Sequence, residues 1–251
     1  KFWKLTTRKK YLPIRPIQRR KNISPDVLAD EEETMAPRPK MDLELVQIND
    51  KVTEMTEMVE EAIVNSIKAI KDKDMLLARR IIDADEHIDD MDDEINEMCY
   101  LFLATQQPVA SDLRYCISIM KMVTDLERIG DHCEDLAKYA IRMEHEDYYK
   151  ELIDLPRMAD MAASMVKNAI RSFLDRDLKL ARKVWKTDEE VDELFRLVYE
   201  EQLDIAVKET QNTRLSIMFA FVAAHLERIA DYATNICEET VFSLEGEYTM
   251  E

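Results

Sequence analysis

The sequence predicts an all-α protein of two tandem, pseudo-symmetric three-helix bundles, and three observations carry that expectation. Gly occurs twice in 251 residues, at Gly130 and Gly246, while Leu, Met, Ala, Glu, Lys and Arg, all good helix formers, abound. From about residue 41 onward apolar residues recur at spacings of three and four, the period of a one-sided helix. About a hundred residues later the pattern restarts in the same order, which marks an internal duplication.

The first forty residues stand apart. "KFWKLTTRKKYLPIRPIQRRKN" is basic and broken by Pro13 and Pro16, and "DEEETMAPRPK" adds Pro37 and Pro39. Residues 1–40 therefore read as a basic, proline-containing extension or linker without a core of its own. Its basic run could dock on the acidic body or on a membrane surface.

The first repeat is expected over 41–148. Leu45, Ile48, Val52, Met55, Val59, Ile63 and Ile67 form one apolar stripe, giving a helix over about 42–72. "KDKD" at 71–74 interrupts it, and a second helix follows over about 74–105. "QQPVASDLR" makes a turn, with Pro108 suited to the first turn of a third helix over about 109–145. The polar "EHEDYYKELIDL" then separates the halves, and Pro156 opens the second repeat, expected over 155–245, with helices at about 157–175, 177–209 and 211–243. "ARRIIDADEHIDDMDDEI" at 78–95 pairs with "ARKVWKTDEEVDELFRLV" at 181–198. "DLRYCISIMKMVTDLERIGDHCEDLAKYAI" at 112–141 pairs with "NTRLSIMFAFVAAHLERIADYATNICEETV" at 212–241. Short connections between amphipathic helices favour antiparallel neighbours in a bundle.

Charge narrows the function classes. The formal net charge is −18, yet residues 1–21 hold nine Lys and Arg and no acid, leaving a body of 26 bases against 53 acids, a net −27. Such a body repels nucleic acid phosphates and anionic membranes, and attracts cations or basic partners. The four cysteines lack any C-x-x-C spacing and read as reduced core residues. There is no run of about 18 apolar residues and no signal-peptide pattern. No Gly-rich phosphate loop, G-x-S-x-G or H-E-x-x-H appears either, so little here points to catalysis. The methionines Met91, Met98, Met120, Met122, Met161 and Met165 have helical spacing and read as core filling.

Four acid pairs occupy corresponding places in the repeats: Asp85 with Asp89 and Asp188 with Asp192 on the second helix of each half, Glu127 with Asp131 and Glu227 with Asp231 on the third. An i, i+4 spacing puts both carboxylates on one face, where like charges cost a few tenths of a kcal/mol. Either the nearby arginines (Arg114, Arg128, Arg214 and Arg228) offset that repulsion, or a metal ion does. All-oxygen sites suit hard cations such as Mg, Ca or Mn, or iron bridged by several carboxylates. Counting from the turns near residues 107 and 209, Asp89 lies about 18 residues back and Glu127 about 20 forward, Asp192 about 17 back and Glu227 about 18 forward. At 1.5 Å per residue both halves bring their acid pairs level within about 3 Å. The Glu-x-x-His repeats of ferritin-like di-iron bundles are absent. His132 beside Asp131 is either a further nitrogen donor in the first half or a surface or half-buried polar group, and Tyr232 occupies its counterpart. Gly130 aligns with Ala230, and both small residues allow close helix approach beside the acids.

"QQPVASDLR" followed by "DLERIGDHCEDLAK", with the degenerate copy "HLERIADYATNICE", resembles the PhoU family of phosphate-transport accessory and regulatory proteins over about residues 42–245. The resemblance implies a six-helix fold of two similar bundles. It implies multinuclear iron or zinc clusters, or Mg or Mn, on the acidic motifs, a role that would fall on Asp85, Asp89, Glu127, Asp131, Asp188, Asp192, Glu227 and Asp231. It further implies a non-enzymatic, cytoplasmic negative regulator of phosphate uptake and the phosphate-starvation response. Such a protein is expected to be a homodimer in contact with a phosphate ABC transporter ATPase subunit and a membrane sensor kinase, reaching the membrane only through those partners. The alternatives are a metal-dependent phosphohydrolase and a cytoplasmic regulatory module of another membrane transporter, since PhoU-like modules also occur attached to sodium–phosphate cotransporters.

Overall fold

Each break foreseen between helices is enforced by a small number of backbone and capping interactions. In a computed structural model, whose described residues are 39–250, the first helix, α1 (Pro39–Asp72), ends where Lys73 adopts a positive φ of 53°. The Asp74 carboxylate then accepts from the Leu77 N–H at 2.9 Å and caps α2 (Met75–Gln106). Gln107, at φ 48°, turns the chain, and α3 (Ala110–Arg142) starts after an extended Val109. Pro108 consequently stands before the helix, outside the first turn expected for it; Val109 takes the cap position and the proline ring constrains the approach.

The second repeat follows the same plan. α4 (Asp154–Leu174) starts three residues before the expected position and holds Pro156 within its first turn, where the missing N–H has no intrahelical partner to lose. Asp177 caps α5 (Leu178–Lys208), accepting from the N–H groups of Lys179 and Leu180. A 3₁₀ turn at Thr210–Asn212 leads into α6 (Thr213–Glu245), which Gly246 ends at φ 80°, a conformation favouring glycine. Among the described residues there are six α-helices and no strand. The reading of 1–40 as an extension falls, except for residues 39 and 40, outside the described residues.

The apolar stripe of α1 does what its spacing foretold. Ile48, Val52, Met55, Val59, Ile63 and Ile67 are buried, and Leu45 packs partly buried against them. α1, α2 and α3 pack mutually, as do α5 and α6 and α4 with both. Across the seam α1 meets α4 and α3 meets α6, so each helix that crosses touches its own counterpart, as a pseudo-twofold relation requires. α1, α3, α4 and α6 each pack on three other α-helices, while α2 and α5 each pack on two and lie outermost. All four cysteines are free and buried. Phe102, Phe173 and Phe219 are the largest fully buried side chains, each worth about 1.5–3 kcal/mol of transfer free energy.

Polar groups also tie the halves together. Ser118 on α3 donates to the buried Glu239 carboxylate on α6 at 2.9 Å, and the Lys121 ammonium pairs with the same carboxylate at 2.9 Å. The segment between the repeats is pinned as well, with the Tyr148 hydroxyl donating to the Ile70 carbonyl at 2.8 Å and Tyr149 edge-on to Phe219.

Candidate carboxylate metal sites

The α2–α3 and α5–α6 pairings carry the acid pairs. In the first repeat the sharpest convergence is of Asp85, Asp131 and Glu134, which each offer a carboxylate oxygen, all within 4.8 Å of one another. Close helix approach makes this possible. A Cβ on Gly130 would lie 3.0 Å from Asp85 Oδ1 and 3.1 Å from the Ile88 side chain, so only glycine lets α3 sit this near α2 without displacing them.

Burial raises the Asp85 carboxyl to about 7, from an ordinary 3.8; the charges of Asp89, Glu134, Asp131 and Glu127 add to the shift. Glu127 and Asp131 are also raised, first by burial and then by their acidic neighbours, with Asp89 acting on both. Asp85, Asp89, Glu127 and Asp131 thus share one electrostatic environment, although only Asp85 and Asp131 join the tight trio. Asp92 lies at its edge, its carboxyl raised chiefly by burial, and its Oδ1 is buried without a hydrogen-bond partner among the described residues.

The second repeat builds a leaner version. Burial, then Asp192, Asp231 and Glu227, raise the Asp188 carboxyl to about 6, and its Oδ1 is likewise buried without a partner. Glu227 and Asp231 are raised by burial and by Asp192, while Arg228 pulls both the other way. No three of these acids offer oxygens within 4.8 Å of one another.

The arginines form no ion pair with the acid pairs, although the charges of Arg128 and Arg228 act on Glu127, Glu227 and Asp231 from farther off. Arg128 stands 3.6 Å from Asp125, Arg214 pairs with Glu146 at 3.2 Å, and Arg114 donates to the Ser243 carbonyl at 3.4 Å. Among the described residues none of the eight carboxylates forms an ion pair with a Lys or Arg. Lys138 pairs with Glu134 at the edge of the first cluster, but the eight repeated carboxylates have no such partner, and their all-oxygen donor sets match hard ions or carboxylate-bridged iron better than zinc, which favours nitrogen and sulfur.

Two residues depart from the sequence reading. Glu134 belongs to the first cluster and was not among the expected acids; it continues the series Glu127, Asp131 by another helical turn. His132 does not join Asp131. One residue on, it is rotated by about 100° around α3 and faces α6, where its Nδ1 lies 3.0 Å from that of His225.

Known proteins carry the same architecture. Both halves of the chain match the PhoU domain model, over residues 52–140 and 155–240. A phosphate-specific transport system accessory protein PhoU homolog of Clostridium acetobutylicum is 35% identical over 204 residues, covering 81% of this chain and 93% of its own length. The homolog of Aquifex aeolicus is 35% identical over 208 residues, 83% and 94% of the two chains. The crystal structure of PhoU from Pseudomonas aeruginosa superposes with a TM-score of 0.79 at 30% identity, covering 82% of this chain and all of that one. These names describe accessory and regulatory proteins of phosphate transport, not enzymes. With both repeats matched in order and most of the described chain covered, this protein belongs to the PhoU family.

Proposed function

We propose that this protein is a negative regulator of phosphate uptake and of the phosphate-starvation response. It acts in the cytoplasm, as a homodimer, by contact with the ATPase subunit of a phosphate ABC transporter and with a membrane sensor kinase. Membership of a family whose relatives are named accessory proteins of phosphate-specific transport supports this reading. No described helix is long and apolar enough to cross a membrane. The acidic body disfavours anionic surfaces, so membrane association runs through the partners. Exposed apolar side chains on α5 and α6, among them Leu203, Val207, Ile217 and Phe221, supply surface for protein contact.

The same reading makes Asp85, Asp89, Glu127 and Asp131 the ligands of one metal site, and Asp188, Asp192, Glu227 and Asp231 those of another. The observation that carries it is the unpaired state of all eight carboxylates at repeated positions, with Asp188 Oδ1 buried and unsatisfied. Such an oxygen costs about 1–3 kcal/mol unless something binds it. Iron, manganese or magnesium supplies that partner, and zinc is the less suited ion.

A pull-down with the tagged full chain from phosphate-replete cells tests the regulatory part. Recovery of the transporter ATPase and a sensor kinase is expected, and recovery of neither overturns it. Elemental analysis of wild type and an Asp131→Asn, Asp231→Asn double variant tests the sites: metal is expected in the first and depleted in the second. Turnover of a phosphate ester with Mn or Mg, abolished by Asp131→Ala, would instead favour a phosphohydrolase.

A further inference from the structure

The His132 and His225 imidazoles meet where α3 crosses α6, on the seam between the repeats. Their Nδ1 atoms are 3.0 Å apart, and the rings stand edge to face with centroids 5.1 Å apart at 68°. Asp135, nearly one turn along α3 from His132, brings a carboxylate oxygen within 4.8 Å of donor nitrogens on both rings. All three side chains are half-buried. Tyr232 and Tyr139 wall the pair, their ring centroids 5.7 Å from His132 and 5.8 Å from His225. Each imidazole is thus flanked by one tyrosine ring.

We propose that His132, His225 and Asp135 form a mononuclear site for a borderline divalent transition ion of the zinc or copper(II) class, separate from the carboxylate clusters, which clamps repeat one to repeat two. The spacing suits it. Two Zn–N bonds of 2.0–2.1 Å at a tetrahedral angle require nitrogens about 3.3–3.4 Å apart, so the rings need to part by only a few tenths of an ångström. Two imidazoles and one carboxylate are donors that suit zinc and copper, and a water completes four-coordination. The acid clusters, with oxygen donors alone, select differently.

Neutral imidazole is the form that binds metal. Arg228 and Lys138 are the opposing groups. Lys138 pairs with Asp135 at 3.3 Å, but it also pairs with Glu134 and keeps that partner when Asp135 turns to a metal. The duplication offers no second copy. The counterparts of His225, His132 and Asp135 are Asp125, Tyr232 and Asn235, so one such site exists per pair of repeats.

Copper(II) separates this site from the carboxylate clusters, because only imidazole gives the remote-nitrogen modulation seen by pulsed EPR. The metal-stripped full chain, given one equivalent of Cu2+, is expected to show two coordinated imidazoles. His87 and His145 are exposed and do not join this pair, and neither contributes a second ring. The two-imidazole signal should disappear in His132→Phe, which keeps a ring between the tyrosines, and in His225→Gln, which keeps a polar side chain. It should persist in an Asp85→Asn, Asp131→Asn variant.

Zinc provides a second reading. At about 100 times its Kd, Zn2+ should raise the wild-type melting temperature by roughly 5–10 °C. The part of that rise contributed by the seam should vanish in either histidine variant. A wild-type spectrum without two imidazoles overturns the proposal, because the pair is then only a neutral hydrogen bond. Survival of the signal in both histidine variants overturns it equally. Neither result touches the carboxylate sites, whose test is elemental analysis of their own variants.

Discussion

The two acidic clusters are built on one plan and differ at its edges. In repeat one Glu134 draws in beside Asp85 and Asp131, and Asp92 lies at the rim. The corresponding positions in repeat two are Thr234 and Phe195, and Arg228 works against the charge of both Glu227 and Asp231, where Arg128 works against Glu127 and not Asp131. The Asp85 carboxyl accordingly rises to about 7 and its counterpart Asp188 only to about 6. Duplication preserved the four acid positions and let their surroundings diverge, so the first cluster concentrates more carboxylates and the second holds less repulsion.

For the proposed carboxylate sites the largest consequence is in metal affinity. An Asp85→Asn, Asp131→Asn variant should lose more bound metal than an Asp188→Asn, Asp231→Asn variant. Because even outer-shell partners of metal ligands are worth about 10–100-fold, removing two ligands should weaken the first site by more than about 100-fold. Metal content against added metal, measured for each variant, checks this. Equal losses would mean that Glu134 adds nothing.

The metal-free protein offers the next contrast. Asp85 and Asp188 have folded-state values above the ordinary 3.8. The stability linked to them is fully present below about pH 4 and is lost as pH rises, through about 7 for Asp85 and about 6 for Asp188. After allowance for solvent screening of these half-exposed groups, the loss at Asp85 is about 1–2 kcal/mol, and that at Asp188 is smaller. Denaturant melts of chelated protein between pH 4 and pH 8 should show falling stability. Asp85→Asn should flatten the curve more than Asp188→Asn.

The smallest effect concerns helix approach. Gly130→Ala gains helix propensity of up to about 1 kcal/mol but sets a methyl 3.0–3.1 Å from Asp85 and the buried Ile88. Overpacking of about 1–3 kcal/mol outweighs that gain, for a net loss of about 1 kcal/mol. Thermal melts should show a decrease of a few degrees, along with weaker metal binding at the first site. The mirror substitution Ala230→Gly should cost the propensity and one buried methyl, together about 1–2 kcal/mol, and leave the second site's metal content unchanged.

Most of the candidate site was legible because its residues repeat. Asp85, Asp89, Asp188 and Asp192, and Glu127, Asp131, Glu227 and Asp231, stood out by recurring at matched places, and the short turns between antiparallel helices brought them level. Requiring recurrence also concealed residues. Glu134 lies three positions beyond Asp131, on the same helical face, and Asp92 bears the same relation to Asp89. A strict reading of helical period would have found both, but Thr234 and Phe195 break the repeat. Pro108 was misplaced by one cap position, since spacing alone does not say which residue takes the extended conformation before a helix.

The sequence by itself determined six amphipathic helices in two matched sets and the four acid pairs. All of these follow from local periodicity and from comparing the chain with itself. The tertiary structure decided which faces meet across the seam. It drew α3 onto α6, turned His132 away from the acids toward His225, and left Arg128 beside Asp125 instead of Glu127 or Asp131. Helical spacing fixes the angle of a side chain around its own axis and nothing about its neighbour. His132 and His225 occupy positions that do not correspond in the repeat, so only the packing of two distant helices makes them a pair.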